Sequence, residues 1–186
     1  GDHYDNLLEI INPSKGGLAI HGAIIAVCIY VPIYCKIRHL DLLPLLEILF
    51  PVFMMCQAIG RWGNFVNQEA FGPETTLSIL NKLHIPKFII DGMYINHDYH
   101  HPTFLYESLM NFAVVLFMNI GRKYIKKYYV GDSLGVYLLS YGVVRFIIES
   151  LRTDPLTIGN TGIKIAQVIS ILFVVGGILL LVLRRV

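Results

Sequence analysis

Residues 165–183 read IAQVISILFVVGGILLLVL, an apolar run without a charged side chain that is followed by Arg184 and Arg185. As an α-helix, a run of this length reaches across the hydrocarbon core of a bilayer, which is about 30 Å thick. Hydrocarbon offers no hydrogen-bond partners to peptide groups, so a segment buried in it must be helical. The run therefore predicts a transmembrane helix that ends at a pair of basic residues.

Further apolar runs of similar length lie upstream, at residues 18–34, 44–59, 103–120 and 134–148. The second of them contains Glu47 and Pro51, and these two residues predict a bent or re-entrant span. Together the runs predict an all-α integral membrane protein. We expect a single domain over residues 1–186, built as a bundle of about five transmembrane helices.

The composition excludes several other classes of protein. Hydrophobic residues make up 55% of the 186 residues and charged residues 15%, against about 45–50% and about 25% in a soluble globular chain. The net charge is only +2, which is too small to indicate a nucleic-acid binder, so we expect no nucleic-acid partner. The 3 cysteines lie inside apolar runs, which excludes a disulfide framework.

The basic residues predict the orientation of the bundle. If the spans alternate in direction, more than half of the 15 lysines and arginines fall on one side of the membrane. These are Lys36, Arg38, Arg122, Lys123, Lys126, Lys127, Arg184 and Arg185. Because basic loops stay in the cytoplasm, we expect the N-terminus outside and the C-terminus in the cytoplasm.

The stretch at residues 72–101 is the one sizeable piece outside the apolar runs, and it falls on the outer side in this orientation. We expect it to form an outer cap, with a short amphipathic helix near residues 76–84 and extended chain around residues 88–94. Connections of this length often serve a functional site.

Polar residues cluster at the outer end of the bundle, where a charged side chain inside lipid is costly and therefore indicates function. The first cluster is GRWGNFVNQEAFG at residues 60–72. If the second helix continues through it, Arg61, Asn64 and Gln68 lie on one face. An outer loop with polar residues at a helix end is the alternative interpretation.

The second polar cluster is YGVVRFIIESLR at residues 141–152. Tyr141, Arg145, Glu149 and Arg152 are spaced so that they form a polar stripe on an otherwise apolar helix. Two arginines beside one carboxylate leave surplus positive charge, which suits an anionic ligand. A purely structural ion pair between Arg145 and Glu149 is the alternative.

His21 is a third candidate. It lies just inside the outer end of the first apolar run, next to Gly22. Its ordinary pKa of about 6.5 allows the ring to take up a proton near neutral pH. A hydrogen-bonded packing role is the alternative.

The fourth candidate is HDYHHPTFLYE at residues 97–107. Its histidines and Asp98 could be interpreted as a metal site, but their spacing fits no zinc motif, and we expect no metal. We expect His101-Pro102 to open a helix from which Tyr106 and Glu107 point toward the same outer cavity.

Two arginine-centred clusters on separate helices indicate a site for a phosphate group. A guanidinium is always charged, and its planar fork donates two parallel hydrogen bonds to phosphate oxygens. The sequence contains no Walker A loop. The residues by themselves therefore indicate an enzyme or a carrier that handles an anionic phospholipid.

Four blocks of the sequence resemble the bacterial phosphatidylglycerol–prolipoprotein diacylglyceryl transferase family, in the family's order. They are GGLAIHG at residues 16–22, GRWGNFVNQEAFG at 60–72, HPTFLYE at 101–107 and YGVVRFIIESLR at 141–152. The family commonly has a second glycine where this chain has Ala23. Family members also carry transmembrane segments before the point at which this sequence starts, so we expect the chain to lack further N-terminal helices of the family.

The resemblance implies an enzyme that transfers the diacylglyceryl group of phosphatidylglycerol to the lipobox cysteine of a prolipoprotein, giving a thioether and glycerol phosphate. It implies no metal and no organic cofactor. The implied partners are phosphatidylglycerol, the prolipoprotein signal peptide with its lipobox cysteine, and membrane lipids. The implied location is the bacterial cytoplasmic membrane, with the active site toward the outer leaflet.

The resemblance also implies roles for individual residues. Arg61 and Arg145 would stabilise the phosphate leaving group, and Glu149 would orient Arg145. His21 is the candidate base that deprotonates the substrate thiol. The residues that we expect to shape the substrate site are Gly22, Asn64, Asn67, Glu69, Gly72, Tyr106, Tyr141 and Arg152.

Two other functions remain open on the sequence. A membrane transporter or phospholipid-binding scaffold would use the same arginine-lined cavity without covalent chemistry. A metal-dependent membrane hydrolase would use His97, His100 and His101. A diacylglyceryl group found on a lipobox cysteine separates the transferase from the first, and activity that survives chelation removes the second.

Overall fold

A computed structural model of the chain describes residues 20–151, 164–183 and 185, and its described side chains begin at residue 26. Two compact units divide the chain, one over residues 1–42 and the other over residues 43–186. The prediction of a single domain over the whole chain stays a prediction.

The first unit contains helix α1, Ile20–Ile37. Its described apolar part, Ala26–Ile37, is shorter than the helices that can cross a membrane, and most of its side chains are exposed. Lys36 lies in the last turn, where a cation interacts favourably with the helix dipole.

The second unit contains helices and a small sheet. In chain order its elements are α2 (Leu42–Asn67), β1 (Glu74–Thr75), α3 (Leu77–Lys82), α4 (Lys87–Gly92), β2 (Tyr94–Ile95), β3 (Asp98–His100), α5 (Thr103–Leu116), α6 (Asp132–Leu151) and α7 (Ile165–Leu183). Helix α5 continues through a π-helical turn, Phe117–Gly121, into the short segment Arg122–Tyr124.

Helices α2, α5, α6 and α7 are long and apolar enough to cross a membrane. Many of their large apolar side chains are exposed, for example Val66 at 77% and Leu172 at 65%. A soluble protein does not leave so much contiguous apolar surface uncovered, whereas lipid covers it without cost. The predicted all-α membrane architecture is confirmed for the part of the chain that the structure describes.

Helix α2 is longer than the apolar run that predicted it. It continues from residue 59 to Asn67 without a break and carries Pro51 in its interior, so the expectation of a re-entrant segment is wrong. The Glu47 carboxylate accepts hydrogen bonds from Gly131 N at 2.7 Å, from Ser133 N at 3.2 Å and from Ser133 Oγ at 2.7 Å. The carboxylate thus lies at the start of α6, and helix N-termini stabilise negative charge. Its hydrogen bonds are therefore satisfied inside the bundle.

Three helices enclose the core of the second unit. Met54 of α2, Val115 of α5 and Tyr137 of α6 belong to one buried apolar cluster. Helices α6 and α7 approach each other closely through small residues. A Cβ atom on Gly142 would lie 2.7 Å from the carbonyl oxygen of Ser170, and one on Gly177 would lie 2.7 Å from the backbone nitrogen of Leu139.

The 72–101 cap is a three-stranded antiparallel sheet, in the order β1-β3-β2, with two short helices. Helix α3 begins after Thr76, whose side chain accepts a hydrogen bond from Ile79 N, and it confirms the helix predicted near residues 76–84. The extended chain predicted around residues 88–94 is wrong, because α4 occupies most of it. Pro86, which cannot donate a backbone hydrogen bond, precedes α4, and the helix buries the β-branched pair Ile89 and Ile90.

Aromatic packing holds the cap against the end of the bundle. Phe65 of α2 stacks on Phe104 of α5 with ring centroids 4.8 Å apart. Gly92 of the cap lies so close to this pair that a Cβ atom there would be 2.4 Å from the Phe65 ring. We call this end of the second unit, where α2 ends and α5 begins, the cap end. The opposite end, where residues 125–131 join α5 to α6, is the loop end.

Candidate active site

Arg61 lies near the C-terminal end of α2, at the cap end. Its Nη2 atom is 2.6 Å from Glu107 Oε1 on α5, and its Nη1 atom donates to Asn64 Oδ1 at 3.4 Å. Tyr141 on α6 lies close to the Arg61 guanidinium. The side chain is only 22% exposed, so three helices determine the position of this guanidinium.

Arg145 of α6 faces the same place from another helix. Its Nη2 atom is 2.7 Å from Glu149 Oε2, one turn further along α6, as the sequence spacing predicted. Its Nη1 atom is 3.9 Å from Glu107 Oε2. The two predicted arginine clusters therefore meet, and Glu107 lies between them.

Glu107 is the centre of this arrangement and is 2% exposed. With ionised side chains, Arg61, Arg145, Glu107 and Glu149 carry two positive and two negative charges. The expectation of surplus positive charge also counts Arg152, so the described residues do not test it and it stays a prediction. The second arginine of that expectation, Arg152, lies outside them.

The turn after α2 folds over Arg61. The Glu69 carboxylate accepts hydrogen bonds from Asn64 Nδ2 at 2.9 Å and from Asn67 Nδ2 at 3.4 Å. Gln68 and Ala70 have φ angles of 51° and 55°, in the left-handed region that is unfavourable for residues other than glycine.

Contacts with the cap and with α5 hold that turn in place. Gln68 Nε2 donates to the carbonyl oxygen of Gly92, and Thr103 Oγ1 donates to the carbonyl oxygen of Ala70 at 2.7 Å. The expectation that Arg61, Asn64 and Gln68 share a face holds for the first two. Gln68 lies just beyond α2 and turns toward the cap.

Gly72 is required by close packing. Its backbone N–H donates to the carbonyl oxygen of His101 at 2.9 Å. A Cβ atom at this position would lie 2.9 Å from both His101 Cβ and Thr103 Cγ2. This packing gives Gly72 a structural reason to be glycine, beside the predicted role in the substrate site.

The histidines of the 97–107 block have separate partners. His100 is buried in the cap, where its Nδ1 atom lies 3.1 Å from the carbonyl oxygen of Gly72 and its ring lies 4.5 Å from that of Phe71. His101 Nδ1 lies 3.0 Å from the Tyr106 hydroxyl. Among the described residues, no three His, Cys, Asp or Glu side chains come together as metal ligands would.

A small cavity opens between α2, α5 and α6 at the cap end. It is lined by Arg61, Asn64, Ala70, Thr103, Phe104, Glu107, Arg145 and Ile148. Its wall combines two guanidinium groups, a carboxylate, an amide and a hydroxyl with apolar side chains. Such a wall suits a ligand with an anionic head and an apolar body.

A family model described as prolipoprotein diacylglyceryl transferase matches residues 2–183. The chain belongs to the prolipoprotein diacylglyceryl transferase family. The recognition made from the four sequence blocks is thereby confirmed, and the arginine cluster lies in the family's shared region.

Curated relatives of this transferase family match nearly the whole chain. The chain is 44% identical over 183 residues to the phosphatidylglycerol–prolipoprotein diacylglyceryl transferase of Bacillus cytotoxicus, which covers 98% of this chain and 66% of that protein. It is 47% identical over 181 residues to the enzyme of the same name from Bacillus mycoides, with 97% and 65% covered. It is 44% identical over 185 residues to the enzyme of the same name from Staphylococcus aureus, an alignment that covers 99% of this chain and 64% of that protein. The chain thus spans slightly less than two thirds of the length of these transferases.

The remaining predicted residues have different outcomes. Tyr141 contacts the cluster through Arg61, and Tyr106 contacts His101 away from the cavity wall. His21 and Gly22 lie in α1, where the described side chains have not yet begun, and Arg152 lies outside the described residues.

The sequence predicts Glu107 near the cavity, but it does not show that this carboxylate joins the two arginines. A signal was available: a carboxylate inside an apolar run is costly in lipid and needs a cationic partner. The partner itself could not be read from spacing, since it lies on another helix.

Proposed function

We propose that this chain transfers the diacylglyceryl group of phosphatidylglycerol to the cysteine thiol of a prolipoprotein lipobox, forming a thioether and releasing glycerol phosphate. One observation of the site carries the proposal: guanidinium groups of two different helices, Arg61 and Arg145, meet at one small cavity that is otherwise partly apolar. Family membership and the names of the curated relatives support the same reaction.

Arg145 offers a hydrogen-bond donor to a phosphate. Its Nη1 atom is buried and, within the described residues, forms no hydrogen bond, because Glu107 Oε2 is 3.9 Å away. A buried donor without an acceptor is costly, and a phosphate oxygen in the cavity would supply the acceptor. Glu107 keeps Arg61 and Arg145 together before the lipid arrives, so little reorganisation is needed on binding.

The reaction breaks a carbon–oxygen bond, and the oxygen leaves with the phosphate. Negative charge grows on the phosphate as that bond breaks, so donors already aimed at it lower the barrier. We assign this role to Arg61 and Arg145, and we assign Glu149 the role of orienting Arg145 through their 2.7 Å contact.

The attacking group is a thiol, whose ordinary pKa is about 8.5. It must lose its proton before its sulfur attacks the glycerol carbon. We propose His21 as the base, because histidine is the side chain whose ordinary pKa allows it to accept a proton near neutral pH. His21→Gln should abolish most transfer while phosphatidylglycerol still binds, and unchanged turnover would remove this role.

The proposal also includes the substrate-binding residues that are expected from the sequence. They are Gly22, Asn64, Asn67, Glu69, Gly72, Tyr106, Tyr141 and Arg152. No metal ion or organic cofactor takes part in the proposed reaction. The reacting groups are those of the lipid and the peptide.

We also propose that the cap end faces the outer leaflet of the bacterial cytoplasmic membrane. The loop end carries basic residues of the second unit, namely Arg122, Lys123, Lys126, Lys127 and Arg185. Basic loops are retained in the cytoplasm. The signal peptide of a prolipoprotein then presents its cysteine at the leaflet where the cavity opens.

The test is a transfer assay with the whole chain, phosphatidylglycerol and a synthetic lipobox peptide. We expect the peptide to gain the mass of one diacylglyceryl group. Arg61→Ala and Arg145→Ala should lose this product, whereas Arg122→Ala, which removes an exposed arginine at the loop end, should keep it.

The other outcomes of this assay identify the alternatives. Peptide that stays unmodified while phosphatidylglycerol binds or crosses the membrane would support the transporter or scaffold. Loss of transfer on adding a chelator, and on replacing His97, His100 and His101, would support a metal-dependent enzyme.

A further inference from the structure

Two amide side chains, the half-buried Gln57 and the buried Asn111, occupy positions one helical turn below the arginines. Gln57 precedes Arg61 by four residues on α2, and Asn111 follows Glu107 by four residues on α5. Four residues of helix advance by about 6 Å. Helix α2 runs toward the cap end and α5 runs away from it, so both amides lie on the loop-end side of the arginines.

Gln57 and Asn111 lie at a level of the bundle between the charged residues and the apolar core. Above it, Glu107 contacts Arg61 and Arg145. Below it, Met54 and Val115 belong to the apolar core cluster. On α5, Glu107, Asn111 and Val115 succeed one another at one-turn intervals, so the Asn111 side chain faces the interior between the charged groups and the core.

Three of the four side-chain polar atoms of Gln57 and Asn111 have no hydrogen-bond partner among the described residues. Asn111 is 0% exposed, and neither its Nδ2 nor its Oδ1 atom has a hydrogen-bond partner in the part of the chain that the structure describes. Gln57 Nε2 donates to the Tyr137 hydroxyl at 3.1 Å, but Gln57 Oε1 is buried without a partner there. Buried amides are rarely left without hydrogen-bond partners, and the hydrocarbon chains of lipids cannot supply such partners.

The unsatisfied atoms identify the ligand by their chemistry. They comprise two acceptor oxygens and one donor NH₂ group. A lipid ester carbonyl only accepts, so it would leave both oxygens unpaired. A water molecule donates twice and accepts, and buried waters typically make about three hydrogen bonds to such groups.

We propose that Gln57 and Asn111 bind an ordered water molecule inside the bundle, and that this hydrated amide pair positions Arg61 for the reaction. The inference rests on the proposed transferase function. Gln57 holds the Tyr137 hydroxyl, and the Tyr137 ring stacks on Tyr141 with centroids 5.6 Å apart and planes 5° apart. Tyr141 in turn lies close to the Arg61 guanidinium.

This chain of contacts makes Asn111 a positioning residue. It touches neither the cavity wall nor the reacting atoms. Loss of the water should therefore lower kcat, because Arg61 loses its fixed orientation. It should change the KM for phosphatidylglycerol little, because the arginines still carry the charge that binds the lipid.

The first experiment is a structure of the whole protein at a resolution that shows ordered water. We expect density within hydrogen-bond distance of both Asn111 and Gln57. Asn111 paired directly with a protein group or a lipid, without water, would overturn the inference. This readout does not depend on activity, so it stays informative if the wild-type chain transfers nothing and the proposed function fails.

The second experiment is kinetic. Asn111→Leu fills the space with an apolar side chain, and we expect kcat to fall about tenfold, the equivalent of one hydrogen bond, with KM changed less than about twofold. Asn111→Ser, which keeps a donor and an acceptor, should recover most of the loss. Asn119→Leu is the matched control on the same helix, because Asn119 Nδ2 already donates to the Val115 carbonyl at 2.9 Å.

Two kinetic results would contradict the inference. Unchanged kcat in Asn111→Leu would remove the positioning role. A raised KM with unchanged kcat would mean that Asn111 contacts the lipid itself. If Asn111→Leu does not fold, Asn111→Ser and the density measurement decide the question.

Discussion

Glu107 is the residue whose removal most directly perturbs the arginine cluster. Glu107→Gln keeps the shape of the side chain and removes its charge. Its carboxylate is 2% exposed, 2.6 Å from Arg61 and 3.9 Å from Arg145. The variant therefore leaves two guanidinium groups facing one remaining carboxylate, that of Glu149.

The expected magnitude follows from this geometry. Removing one partner of a buried ion pair costs about 3–5 kcal/mol, because the other charge is left uncompensated. Arg61 and Arg145 keep 22% and 15% of their side-chain exposure, and glutamine can still accept a hydrogen bond. We therefore expect the lower part of that range or slightly less, about 2–3 kcal/mol.

The assay is equilibrium unfolding in mixed micelles, with Glu74→Gln as the control. Glu74 is an exposed carboxylate of the cap, and its replacement should change the free energy of unfolding by less than about 0.5 kcal/mol. A loss below about 1 kcal/mol in Glu107→Gln, or a gain in stability, would refute the role of Glu107 as the bridge between the arginines.

A second readout uses the uncompensated charge of the variant. On the proposed function, glycerol phosphate should bind the folded chain. At ten times its Kd a ligand adds about 1.4 kcal/mol of stability. We expect this anion to stabilise Glu107→Gln more than the wild type, because Arg61 no longer has a carboxylate to release. Equal stabilisation of both proteins would contradict that explanation.

Two further predictions concern packing and pH. Gly142→Leu should lower the free energy of unfolding by about 1–3 kcal/mol, because its Cβ would lie 2.7 Å from the Ser170 carbonyl oxygen. Gly176→Leu is the control and should be tolerated, because a Cβ there has nothing within 4 Å. Equal unfolding curves for the two variants would contradict close α6–α7 packing. Burial raises the pKa of the Tyr128 hydroxyl at the loop end, so the protonated form stabilises the fold below pH ~10 and this contribution is lost as the pH rises above it. The melting temperature should therefore fall more steeply between pH 8 and 11 for the wild type than for Tyr128→Phe. The same pH dependence of the melting temperature in both proteins would contradict the raised pKa of Tyr128.

Much of the fold was readable from the sequence because lipid imposes simple rules. Apolar length reports a span, and the runs at 103–120, 134–148 and 165–183 correspond closely to α5, α6 and α7. The same rules made Arg61 and Arg145 conspicuous, since a charge in an apolar helix needs a reason. Patterns within one segment were sufficient wherever the energetic cost of a residue depends on that segment alone.

The errors arose where a distant contact changes the cost of a residue. Glu47 suggested a re-entrant segment, but its hydrogen-bond partners, Gly131 and Ser133, are 84 and 86 residues away in sequence. Glu107 was not assigned to the arginine pair, because Arg61 and Arg145 lie on other helices. Periodicity within one helix contains no information about such partners.

The most direct test of the central claim is a double-mutant cycle on Arg61→Gln and Arg145→Gln, measured as kcat/KM for diacylglyceryl transfer to a lipobox peptide. If both guanidinium groups hold one phosphate, each single variant should lose at least about tenfold, the equivalent of a charge-assisted hydrogen bond. The double variant should then lose clearly less than the product of the two, because contacting groups are coupled. Losses that multiply, or a single variant that keeps more than half of the wild-type rate, would contradict the claim.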